Sequence, residues 1–147
     1  VAARVGSSSP RLNYGIHPWR HGSVLANGWA LNWSNGNEFN DLDSGASDWH
    51  MILPNWAGKP ISTLSWEGFR EGVDDQRYLH VLEKLVKEGK AGNELLNELK
   101  EKGLSGMENW AETVVGDSVF GASLKNAATL HIARERIIEG ILKALKK

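Results

Sequence analysis

Small and apolar positions recur at Gly68, Gly72, Asp75, Leu79, Leu82 and Val86, separated by four, three, four, three and four residues. That period sets all six on one face of a helix starting near Ser62 or Thr63. A glycine inside a helix costs roughly 1 kcal/mol relative to alanine. Two glycines on one stripe therefore predict a helix backbone lying close against another element, with a strand layer as the expected neighbour. Asp75 shares the stripe, so it needs a cation or backbone amides beneath it.

Beyond Gly92 three more helical patterns follow: Asn93 to Lys102 with Gly103 closing it, about Ser105 to Val115, and Ser123 to Lys147. In the last, Ala127, Leu130, Ile137, Ile141 and Leu145 form an apolar stripe, and Lys143, Lys146 and Lys147 suit the negative end of the helix dipole. His131 reads as a surface or satisfied residue. Upstream the pattern differs. Ser9 and Pro10 suit the start of a short helix reaching about His21. The run 24-VLANGWALNW-33 reads as a buried strand, and 34-SNGNEFNDLDSGAS-47 as a loop of turn formers. The run 49-WHMILP-54 reads as a second strand ended by Pro54, with 55-NWAGKPIST-63 as a turn into the helix.

Composition sharpens this division. Six of the seven tryptophans, Trp19, Trp29, Trp33, Trp49, Trp56 and Trp66, precede residue 67, as do all four prolines. The chain has 147 residues, 41% hydrophobic and 24% charged, as a globular domain does. A net charge of -1 provides no basic field for nucleic acid. No cysteine is present, so neither a disulfide scaffold nor a thiolate metal site exists. No apolar run nears the roughly 20 residues of a membrane span. The chain opens on Val1 with no signal-like segment, and the expectation is a segment of a longer protein.

Paired carboxylates are the first candidates for chemistry, because glycoside hydrolysis employs two. Glu67 and Glu71, or Glu71 and Asp75, are four apart on the helix, but Arg70 and Arg77 stand three or four positions from Glu67 and Asp74. Glu67, Arg70, Asp74 and Asp75 are accordingly read as structural ion pairs, since a neighbouring cation favours the charged form of an acid over a proton donor. Glu38, Asp41, Asp43 and Asp48 suggest calcium but lack the ligand order of an EF-hand. His17, His21 and His50 do not make the HExxH pattern, so no metal and no cofactor is expected. Neither a GxSxG elbow nor a phosphate loop occurs. The aromatic residues offer more. Trp33, Trp49 and Trp56 fall where strand ends meet loops, where an indole face can stack on a sugar while His50 and Asn55 bond its hydroxyls. Trp29 and Trp66 are read as core.

The series 11-RLNYGIHPWRHG-22, 28-GWALNW-33 and 48-DWHMILPNWAGKPISTLSWEGFREGVDDQRYL-79 resembles the C-terminal part of the catalytic domain of glycoside hydrolase family 123 and its relatives. The most specific element is 70-REGVDDQRYL-79 preceded by Glu67, and the resemblance covers about residues 10 to 88. Ser65 stands where an arginine is usual, Gln76 where a tyrosine is usual, and 54-PNWAG-58 replaces Pro-Gly and a short acidic turn.

The resemblance implies an α/β fold: the last strands and helices of a (β/α)8 TIM barrel within residues 1–90, then a C-terminal helical extension over 91–147, mostly helical in this fragment. It implies a secreted glycosidase acting on extracellular or cell-envelope glycans, N-acetylhexosamine-containing ones among them. In that family an adjacent Asp and Glu on an earlier strand do the acid/base work. No Asp-Glu dipeptide occurs here, so no catalytic residue is expected in this segment. The expected partners are a glycan substrate and the remainder of the barrel, with no nucleic acid and no membrane span. Trp33, Pro54, Asn55 and Trp56 are expected at the carboxyl ends of strands, where such barrels bind substrate, and together with Trp49 and His50 at the start of the second strand they are the expected substrate contacts. The alternative is a non-catalytic carbohydrate-binding or surface-assembly protein of barrel-like fold. The interval from Trp33 to Trp49 is short for a crossover helix, which is expected to be reduced or missing.

Overall fold

The computed structural model describes residues 8–23, 31–33, 37, 49–55, 57–102 and 119–146. These form helices α1 (Ser8–Tyr14) and α2 (Ile16–Arg20), strands β1 (Asn32–Trp33), β2 (Trp49–His50), β3 (Ile52–Leu53) and β4 (Ile61–Ser62), and helices α3 (Leu64–Lys87), α4 (Glu94–Lys102) and α5 (Val119–Leu145). The fold is mostly helical with few strands. The expected run 24–30, the loop 38–48, Trp56 and the helix over 105–115 lie outside the described residues.

The expected N-terminal helix is divided at Gly15 into α1 and α2. Helix α3 begins where the pattern placed it: Thr63 is the N-cap, and its Oγ1 accepts from Trp66 N at 3.2 Å. It ends at Glu88. There Gly89, at φ +70°, lets Gly89 N donate to Val86 O at 3.0 Å and Lys90 N to Leu85 O at 2.9 Å, a close that a residue with a Cβ adopts only under strain.

The buried face of α3 is Gly68, Gly72, Asp75, Leu79, Leu82 and Leu85, so the expected stripe holds with Leu85 innermost at its end and Val86 only partly buried. What it faces is different. Gly72 meets a helix turn, not a strand layer. A Cβ on Gly72 would lie 2.6 Å from Arg11 O and 3.0 Å from Gly15 N, and one on Gly15 would lie 3.1 Å from Gly72 Cα. The junction of α1 and α2 therefore rests directly on the backbone of α3.

Leu79, Leu82 and Leu85 join Ile16 and Trp19 of α2, Leu96 and Leu99 of α4, and Leu130, Ala133, Ile137, Ile141 and Ala144 of α5 in one core. Arg134 of α5 meets the first half of α3 and Gly140 meets Leu82, so α3 and α5 run in the same direction. Leu145 departs from its expected inward place and is 65% exposed, while Ala144 is buried. Two successive steps of four, Ile137 to Ile141 to Leu145, overrun 3.6 residues per turn by about 80°, which carries Leu145 off the buried face and leaves Ala144 on it.

The two expected strands become two antiparallel pairs: β1 with β2, in register Asn32↔His50 and Trp33↔Trp49, and β3 with β4, in register Ile52↔Ser62 and Leu53↔Ile61. The run 49–54 changes partner at the buried Met51, whose N donates to Leu31 O at 2.9 Å. Strand β4 lies within the stretch 55–63 that the sequence predicts to be a turn. No parallel pair occurs among the described residues, in contrast to the parallel strands that the resemblance implies. Between β3 and β4 the connection 54–60 is shorter than the dozen or so residues that a parallel crossover needs, so the chain returns antiparallel there. Among the described residues, no helix is long and apolar enough to cross a membrane.

Candidate functional site

Asp75 is 1% exposed and lies where α1, α3 and α5 meet. Arg11 grips it twice, Nε donating to Oδ2 at 2.7 Å and Nη2 to Oδ1 at 3.1 Å. Arg134 of α5 adds Nε to Oδ1 at 2.5 Å. Each guanidinium then reaches onward. Arg11 Nη2 donates to Leu130 O at 3.1 Å, and Arg134 donates through Nη1 to the Glu71 carboxylate and through Nη2 to Glu71 O at 2.7 Å. The Tyr78 ring lies 5.8 Å from the Arg134 guanidinium carbon. Burial acts to lower the Arg134 pKa, but hydrogen bonds and charge from Asp75 and Glu71 outweigh it and hold the group above the ordinary arginine value.

Two cations and two carboxylates make this cluster neutral. Both oxygens of Asp75 are occupied by guanidinium N–H groups, and none of its surface is presented to a substrate. The arrangement is a three-helix joint. The other acids of α3 pair locally: Arg70 with Glu67 at 2.7 Å and Arg77 with Asp74 at 2.8 Å, all on the surface. Arg11 and Arg134 were missed by sequence reasoning. The signal was Asp75 on an apolar stripe, which demands a cation, but nothing local identifies a partner 64 residues away in sequence.

The N-terminal segment has further anchors. Gln76 donates from Nε2 to Tyr14 O at 3.0 Å. Tyr14 meets Phe69 edge-on at 4.8 Å, and Phe69 stacks on Trp66 at 5.4 Å. Trp66 is only half-buried. Arg20 donates to Lys100 O at 2.8 Å and Glu101 O at 2.9 Å, occupying carbonyls at the end of α4. Lys100 stands 5.2 Å over the Trp19 ring. Glu83 is bonded by His80 and Lys100, at 3.2 and 3.4 Å. Burial alone would raise the Glu83 pKa, but the His80 ring, the nearby Trp19 indole N–H and the Lys100 ammonium together bring it below the ordinary value. The indole Nε1 of the buried Trp19 faces that carboxylate without closing a hydrogen bond of normal geometry.

The expected sugar contacts are only partly brought together. Trp33 lies opposite Trp49 in the β1–β2 register. His50 is opposite Asn32, and its Nδ1–H donates to Asn32 Oδ1 at 2.5 Å. Asn55 serves its own turn: Oδ1 accepts from Ala57 N and the carbonyl from Gly58 N, both at 2.9 Å. Pro54 is half-buried beside it. Trp56 and the acids Glu38, Asp41, Asp43 and Asp48 lie outside the described residues. Among the described residues no three His, Cys, Asp or Glu side chains gather as metal ligands. His17 and His21, passed over for want of a HExxH pattern, nevertheless stand four residues apart with ring centroids 4.6 Å apart. His131 is on the surface, 3.3 Å from Glu135.

No family model matches the chain, and no curated protein or solved structure matches it significantly.

Proposed function

We propose that this chain is the C-terminal portion of a glycoside hydrolase of barrel type acting on extracellular or cell-envelope glycans, N-acetylhexosamine-containing ones among them. It supplies substrate contacts through Trp33, Trp49, His50, Asn55 and Trp56, while the acid/base pair comes from sequence upstream. The observation that carries the reading is the meeting of the most specific segment of the resemblance with another stretch that shares in it. Residues 11–22 and 67–79, far apart in sequence, pack on one another through Arg11–Asp75, Gly15–Gly72, Tyr14–Phe69 and Gln76–Tyr14 O. Stretches that resemble one family jointly thus form one structural unit. Because β1 to β4 pair antiparallel, the reading assigns them to a lip beside the substrate and leaves the parallel staves to the rest of the protein.

The test uses the complete protein. Trp33→Ala and Trp56→Ala should each weaken binding to N-acetylhexosamine oligosaccharides about threefold to tenfold, from the roughly 0.5–1.5 kcal/mol of an aromatic stack, with little change in melting temperature. Unchanged affinity in both variants sinks the assignment. Binding without hydrolysis of an aryl N-acetylhexosaminide transfers the protein to the non-catalytic carbohydrate-binding reading.

A further inference from the structure

The chain has five histidines, and three of them have side-chain partners: His50 with Asn32, His80 with Glu83 and His131 with Glu135. The other two face each other. His21 N donates to His17 O at 3.2 Å, so one α-helical turn separates the two residues and both side chains leave the same side of it. Both residues are exposed, and their rings stand 4.6 Å apart between centroids, tilted by 58°. Among the described residues neither ring makes a hydrogen bond or ion pair.

We infer that His17 and His21 form a two-imidazole chelate for a late first-row divalent cation, Cu²⁺ before Ni²⁺ and Zn²⁺. Two metal–nitrogen bonds of about 2.0–2.1 Å bring the ligating nitrogens to roughly 3–3.5 Å, within reach of these rings by side-chain rotation. Paired His at this spacing on a helix turn is the arrangement that zinc-binding helices use. Imidazole selects copper, nickel and zinc, and the rise to copper follows the general order of divalent affinities. Calcium and magnesium need oxygen ligands that are not gathered here.

The platform is fixed on several sides. Pro18 lies within the turn, Ile16 and Trp19 are buried in the core, and Arg20 is tied to the end of α4. Ser23 N donates to Pro18 O at 2.9 Å, closing the turn behind His21. A chelate held this way loses little freedom on taking up an ion. With two protein ligands, the remaining positions are left to water or to a donor from a partner molecule.

The experiment titrates CuCl₂ and, separately, ZnCl₂ into the tag-free full chain, reading heat and histidine proton resonances. One Cu²⁺ per chain is expected, with broadening centred on His17 and His21, weaker Zn²⁺ binding and no response to Mg²⁺. His17→Ala and His21→Ala should each lower Cu²⁺ affinity on the order of tenfold or more, the loss of the second ligand's effective concentration, and His131→Ala should leave it unchanged. Both targets are exposed, so a melting curve equal to wild type is the folding control. The wild-type resonances test the chelate independently of any variant. Broadening centred on His80 or His131, or affinity unmoved by either single substitution, overturns the proposal.

Discussion

Replacing Gly72 by alanine puts two opposed effects into one methyl group. In an unconstrained helix the change stabilises by roughly 1 kcal/mol. Here the new carbon would stand 2.6 Å from Arg11 O and 3.0 Å from Tyr14 C and Gly15 N, and all three are backbone atoms. A side-chain end could swing away, but this contact yields only if the α1–α2 junction lifts off α3, dragging Arg11 from Asp75. Overpacking of a rigid contact costs about 1–3 kcal/mol and sometimes more, and backbone on backbone belongs at the upper end. The net expectation is a loss of about 2 kcal/mol, or a fall in melting temperature of roughly 6–8 °C for a chain this size. Gly140→Ala is the internal control. Its new carbon would meet only the Leu82 side chain, Cδ1 at 3.5 Å and Cδ2 at 4.0 Å, ordinary contacts, so the helix propensity term survives and stability should rise by up to about 1 kcal/mol. Thermal and urea unfolding of both variants measure the pair. If Gly72→Ala is neutral or stabilising, the direct helix contact is refuted.

Thr63→Ala should cost about 1–2 kcal/mol in urea unfolding, because it removes the α3 cap and the hydroxyl donated to Met51 O; Thr63→Ser should recover most of it. Asp75→Asn should lower stability by about 3 kcal/mol or more, leaving Arg11 and Arg134 short of a counter-charge, and hydrogen exchange should accelerate in α1. Glu83 has a folded pKa below its ordinary value, so its contribution is present above about pH 4.5 and is lost as pH falls through the folded value. Glu83→Gln should therefore flatten the acid limb of the stability profile below about pH 4.5 and leave the neutral region parallel to wild type.

Periodicity made the helical half legible. The α3 stripe from Gly68 to Leu82 and the buried Leu130, Ile137 and Ile141 of α5 follow from spacing alone, because a long amphipathic pattern repeats its signal many times. The identity of the neighbour was not legible. Gly68 and Gly72 announce a close approach but not whether strand or helix approaches, and Arg11 or Arg134 carries no local mark of a bond to Asp75. The strands were the least legible. Each has two residues, too few for an alternation to register, and β4 hides between Pro60 and the cap Thr63. For the site, Asn55 shows the limit: a polar residue beside tryptophans suits a sugar, yet its side-chain oxygen is bonded to Ala57 N.

The glycine contact also explains why a charged cluster sits at this joint. Gly15 and Gly72 let α1 and α3 approach closely but present no side chains to interlock, so the contact sets a distance without setting an angle. Burial alone would accept several rotations of α1 about that point. A planar guanidinium meeting a carboxylate through two N–H groups accepts one, and Arg11 makes that bond to Asp75. Arg134 then ties the same carboxylate to α5, and Arg11 Nη2 donates to Leu130 O of that helix. A buried ion pair is seldom more stabilising than apolar residues of equal volume. The contribution that glycine cannot make is orientation, and it is orientation that brings His17 and His21 out on one exposed turn while Trp19, between them, enters the core.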